Sequence, residues 1–144
     1  MIESLAYRSV ATPALTDTEL DVLLLHSRTL NAVRGLTGAL LKSGPTIVQY
    51  LEGRADAIER TFERILASPL HRDVEVLARE RGIERQFSVW HMGFCDVQRL
   101  HHRDLATQEW RAVVDEARTA TAANPPLAHL VACWDRFMPG ARTA

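Results

Sequence analysis

At 144 residues, with 47% hydrophobic and 24% charged side chains, the chain has the size and composition of one globular domain able to bury a real core. Seventeen Lys and Arg against eighteen Asp and Glu leave a net charge of -1, so there is no electrostatic case for direct binding of nucleic acid or an anionic membrane. Cys95 and Cys133 are far apart and match no metal spacing, and no apolar run approaches the ~18 residues of a membrane helix. A reducing cytoplasm is the expected compartment.

Ile2 to Val10 reads as a first strand, with Leu5, Tyr7 and Ser9 on one face and Ala6, Arg8 and Val10 on the other. Thr16 and Glu19 form a capping-box pattern, and Leu20, Leu23, Leu24 and Ser27 a stripe at helical spacing. That helix is expected to run to Leu30 or Asn31 and to break before Gly35. Leu36 to Leu41 is a second strand, and Ser43-Gly44-Pro45 a tight turn into a third, Thr46 to Gly53. Here Ile47, Gln49 and Leu51 share a face, opposite Val48 and Tyr50. A carboxamide between two large aliphatic residues needs a partner, because an unpaired buried amide costs about 1–3 kcal/mol.

Past Gly53, Ile58, Phe62, Ile65 and Leu66 give a second amphipathic helix ending near Ser68-Pro69. Asp73 to Ala78 is a fourth strand and Phe87 to Phe94 a fifth, in which Trp90 and Met92 share a face. Two tail helices follow, with stripes at Trp110, Val113, Val114 and Ala117 and at Leu127, Leu130, Val131 and Trp134. Asn124-Pro125-Pro126 is the hinge between them. The order is that of an α+β, ferredoxin-like βαββαββ sandwich: a five-stranded mixed sheet with two helices on one face and the two C-terminal helices covering the other. Residues 1–97 form the main domain and 98–144 a helical extension of it.

Strand parity collects Tyr7, Gln49, Trp90 and Met92 on one face, with Asn31 near the end of the first helix. A phenol, two amides and an indole suit a planar ligand with carbonyls and ring nitrogens better than a dry core. Taken singly, each has a structural reading: Tyr7 as a core tyrosine, Trp90 beside Met92 as packing, Asn31 as a helix cap, Arg64 as a solvated cation. His101-His102 with Asp104 offers metal-binding side chains, but adjacent residues rarely converge on one ion without another ligand at helical spacing, and none is evident; Arg79-Glu80-Arg81 with Arg85 reads as a charge-rich, solvated turn.

Tyr7-Arg8-Ser9, Asn31 followed by Gly35-Leu36-Thr37-Gly38, Gln49-Tyr50-Leu51-Glu52-Gly53 and Phe87-Ser88-Val89-Trp90-His91-Met92 occur in the order and at about the separations of the BLUF domains. The chain resembles that family of blue-light sensors over roughly residues 2–97, and the small stand-alone members in its helical tail. The resemblance implies FAD as cofactor, with FMN or riboflavin able to take its place. It implies a non-enzymatic photoreceptor in which Tyr7 gives an electron and proton to the excited flavin and Gln49 is the switch beside the ring. Asn31 and Arg64 would hold the ring's other edge and its ribityl side, and Leu23, Ser27 and Ile65 would line it. Trp90 and Met92 match the pair that relays the signal through the last strand and tail to a separate downstream protein, and a homo-oligomer is expected. Leu30, Ser68 and Ile47 depart from the family's usual residues, and His71 is assigned no role.

The rival is a light-insensitive ferredoxin-like interaction or ligand-binding module. An acylphosphatase-like hydrolase would need an anion-cradling loop that Ser9 to Thr12 does not supply.

Overall fold

The computed structural model describes residues 1–88, 90–99 and 105–138. Its elements are β1 (Ile2–Ala11), α1 (Asp17–Arg34), β2 (Thr37–Ser43), β3 (Thr46–Arg54), α2 (Ala55–Ala67), β4 (His71–Arg81), β5 (Gly93–Asp96), α3 (Leu105–Ala117) and α4 (Pro125–Phe137), with short 3-10 turns at Val97–Arg99 and Arg118–Ala123. The sheet order is β4-β1-β3-β2-β5. β1 lies antiparallel to β3 and β4, β2 is antiparallel to β3, and β5 is parallel to β2.

α1 starts where the Thr16 side chain accepts from the Glu19 backbone N–H and stops at Gly35, whose φ of 69° is left-handed. α1 and α2 lie on one face of the sheet. Leu20 and Leu24 pack there on Leu40, Ile47, Leu51 and Met92, and Ala57 and Ile58 on Leu5 and Leu36. The other face, with Ala39, Leu41, Val48 and Tyr50, meets Trp110 and Val114 of α3 and Leu127, Leu130 and Trp134 of α4. α4 crosses β1, β2, β3 and β4, so it supplies most of the cover. Asn124 is the N-cap of α4, its side chain accepting from Leu127 N–H with proline in the first turn.

The fifth strand differs from expectation. Phe87, Ser88 and Trp90 to Met92 are not part of a strand; β5 begins only at Gly93. Trp90 N–H donates to the Phe87 carbonyl at 3.0 Å, closing a turn. The Phe87 and Trp90 rings stack at 5.7 Å and 14°, which matches apolar alternation in sequence but needs no strand. Trp90 and Met92 consequently do not share a face. Trp90 is half-buried on the tail side, against Trp110 at 5.0 Å, while Met92 is buried on the side of α1. Gly93 permits this crossing: a Cβ there would lie 2.2 Å from the Trp90 ring. The charge-rich turn expected at Arg79 to Arg85 is corrected in its structure, since β4 runs through Arg81, while the Arg81 side chain stays largely exposed. Arg79 and Arg81 sit on β4 and pair with Glu3, and Arg85 donates to the Thr37 hydroxyl at 2.7 Å.

Candidate functional site

A cavity of about 930 Å³, including the open space at its mouth, lies between α1, α2 and the sheet. Its walls include Leu23, Leu24, Leu40, Ile47 and Ile65, and its polar groups come from Tyr7, Ser27, Asn31, Gln49, Arg64 and His71. This is the size and mix of a small-molecule site, mostly apolar with a few convergent polar groups.

Tyr7 and Gln49 are directly opposite in the β1–β3 ladder, and cross-strand partners on one face are close enough to touch. The Tyr7 hydroxyl donates to Gln49 Oε1, and Gln49 Nε2 donates to the Met92 sulfur at 3.4 Å. All three side chains are buried. Burial also drives the Tyr7 hydroxyl well above the ordinary phenol range, so it stays protonated and able to donate.

α1 fixes the segment that brings Met92 in. Asn31 Nδ2 donates to the His91 carbonyl at 2.6 Å, and Arg28 Nε to the Met92 carbonyl at 3.1 Å. Asn31 is therefore more than a cap, although its own carbonyl does accept from the Leu36 N–H that follows the helix.

Of the residues expected at a site, Tyr7, Leu23, Ser27, Asn31, Gln49, Arg64, Ile65 and Met92 all line this one cavity, and Trp90 does not. Leu30, Ser68 and Ile47, the three departures, line it too. His71 escaped the sequence reading. Its ring nitrogens lie 2.8 Å from Ser9 Oγ and 2.6 Å from the Ile65 carbonyl, and its ring meets Tyr7 edge-on at 6.0 Å. The signal available was parity: Ser9 shares the face of Tyr7 and needs a buried partner. Among the described residues no group of three His, Cys, Asp or Glu could hold a metal ion; His101, His102 and Asp104 lie outside those residues. Among the same residues no helix is long and apolar enough to cross a membrane.

Residues 2–93 match the family described as BLUF, sensors of blue-light using FAD. The chain belongs to the BLUF family. The α subunit of the photoactivated adenylate cyclase of Euglena gracilis is 33% identical over 93 residues, 63% of this chain and 9% of that protein. The chain thus spans under a tenth of the curated relatives it matches. Among solved structures, the dark state of BlrB, a BLUF protein, superposes with a TM-score of 0.68 at 26% identity, covering 95% of this chain and 97% of that one. Klebsiella pneumoniae BlrP1 with FMN and cyclic diGMP gives 0.72 at 28% identity, covering 94% and 36%.

The BLUF cavity suits the flavin that the family uses. Its depth is lined by apolar side chains from both helices, and a carboxamide with both donor and acceptor stands at its base. The BLUF domain is a sensor and not a catalyst.

Proposed function

We propose that this chain is a blue-light photoreceptor in which Tyr7, Gln49 and Met92 form the switch. The observation that carries the reading is the relay at the cavity base: phenol to amide oxygen, amide nitrogen to thioether. Asn31 and Arg64 would hold the flavin's polar edges, while Leu23, Ser27 and Ile65 line the ring. When bound, the flavin supplies light absorption and an electron acceptor.

Tyr7 is suited to give up an electron and its hydroxyl proton together. Burial makes a lone phenolate costly, and Gln49 Oε1 already receives that hydrogen. Gln49 is suited to change state. Its Nε2 is held by a sulfur, a weak acceptor, so turning the carboxamide forfeits little on that side. Rotation would set the NH₂ toward the Tyr7 oxygen and free the carbonyl, giving the ring edge a different hydrogen-bond pattern. Met92 would feel the exchange first, and its segment lies beside β5 and the tail.

Residues 1–97 then act as the sensing unit and 98–144 as its output extension. In BlrP1 and in a bacterial light-regulated adenylyl cyclase the matched part occupies about a third of a longer chain. Here a separate partner protein in the cytoplasm is proposed to receive the signal, from a self-associated form of this chain.

Tyr7→Phe should give a yellow protein without the reversible red-shift under blue light, as should Gln49→Leu with flavin still bound. Absorption spectra before, during and after illumination test this; a full red-shift in Tyr7→Phe overturns the assignment.

A further inference from the structure

Gln49 and Tyr50 are consecutive on β3 and so face opposite sides of the sheet. Behind Gln49 lies a second polar system, its side chains from Ser4, Thr37, Tyr50, Glu52 and Asn124 all buried. Glu52 is fully buried and accepts from the Thr37 hydroxyl at 2.9 Å, the Tyr50 hydroxyl at 2.9 Å, Gln86 N–H at 2.9 Å and Phe87 N–H at 2.7 Å. Tyr50 in turn accepts from Asn124 Nδ2 at 2.8 Å. Asn124 Oδ1 takes the Ser4 hydroxyl at 2.6 Å and Leu127 N–H at 3.4 Å. One hydrogen-bonded chain thus runs from the segment just before Trp90 and Met92 to the first turn of α4.

We infer that Glu52, Tyr50 and Asn124 are positioning residues that couple the Met92 segment to α4, so that a change at Gln49 reaches the tail by way of that segment and the buried hydrogen bonds behind the sheet. The inference rests on the photoreceptor reading above. Its physical basis is that buried donors do not go unpaired. Gln86 N–H and Phe87 N–H have Glu52 as acceptor, and Phe87 is tied to Trp90 by the turn and by ring stacking. A displacement of the Met92 segment that moves these amides must carry the carboxylate with them. The Tyr50 hydroxyl follows the carboxylate, and Asn124 follows the hydroxyl. Because Asn124 also caps α4, the last link registers as a tighter or looser first turn. A static brace would have the same bonds and no light-dependent response.

The test uses the full, flavin-loaded chain as wild type, Tyr50→Phe and Asn124→Ser. Phenylalanine keeps the ring that packs on Phe87, and serine keeps an N-cap oxygen while losing the reach to Tyr50. Flavin absorption and amide hydrogen exchange across residues 125–137 are followed in dark and light. Wild type should red-shift and change exchange in the first turn of α4. Both variants should keep the red-shift and lose that exchange difference. A light-dependent exchange difference that survives in either folded variant overturns the coupling, as does a red-shifting wild type with no exchange difference. A wild type that fails to red-shift removes the photoreceptor reading, and the coupling with it.

Discussion

Gln49 holds its two hydrogen bonds with very different partners, a buried phenol and a thioether. That asymmetry is what a switch needs, because one bond is strong enough to define the resting arrangement and the other weak enough to release. Met92→Leu tests it at nearly constant volume. Stability should fall by less than about 1.5 kcal/mol in urea unfolding, yet the dark-recovery rate should change, because the amide nitrogen loses its acceptor. Unaltered kinetics would show that the sulfur plays no part. The buried phenols and thiol also set a pH limit. Burial raises Tyr7 and Tyr50, with the Glu52 charge adding to Tyr50, and pushes the Cys95 thiol from 9.0 up to about 12, Asp96 contributing. The folded state then keeps protons that the unfolded chain has released, so these groups withdraw stability as pH rises. They contribute little slope below about pH 8, where the unfolded thiol still keeps most of its protons. Urea midpoints measured from pH 8 to 11 should fall steadily, and Cys95→Ala should flatten the first part of the decline.

At the scale of elements, the crossing at Trp90 to Gly93 decides which side chain faces the cavity. Gly93→Ala would drive a methyl into the Trp90 ring. It should cost about 1–3 kcal/mol and shift tryptophan fluorescence, since Trp90 must leave its place against Trp110. The order of strands and helices was legible in sequence because its signals are local: the Thr16 cap, the Gly35 stop, the Gly44-Pro45 turn and the alternation around Gln49. The Tyr7–Gln49 pair was legible for the same reason, since period-two alternation alone puts both on one face. Phe87 to Met92 was not. Its alternating large side chains imitate a strand, whereas ring stacking and a turn place Phe87 and Trp90 on the tail side. Nor was the buried ring of bonds at Glu52. A carboxylate two residues beyond Tyr50 shares its face by parity, but its donors come from Thr37, Gln86 and Phe87, which only the fold brings together.

For the whole molecule, the tail is part of the core. Tyr50, Leu41 and Val48 are sealed by α3 and α4, and removing residues 98–144 would open an apolar sheet face larger than monomers ordinarily expose. Such a truncation should aggregate or unfold during purification; a soluble, flavin-binding 1–97 fragment would show the extension to be dispensable. Asn124→Ala, by contrast, leaves the cover but removes the cap together with the buried hydrogen bonds to Ser4 and Tyr50. It should cost about 2–4 kcal/mol in chemical denaturation, with the fold intact by circular dichroism.

The adjacency of Gln49 and Tyr50 makes the sheet a shared wall only one peptide thick. Influence across such a wall runs both ways: whatever docks on the helical side and prefers one arrangement must, to the same degree, favour the matching arrangement of the carboxamide. The pigment's own colour would then announce a docked protein, with no label attached.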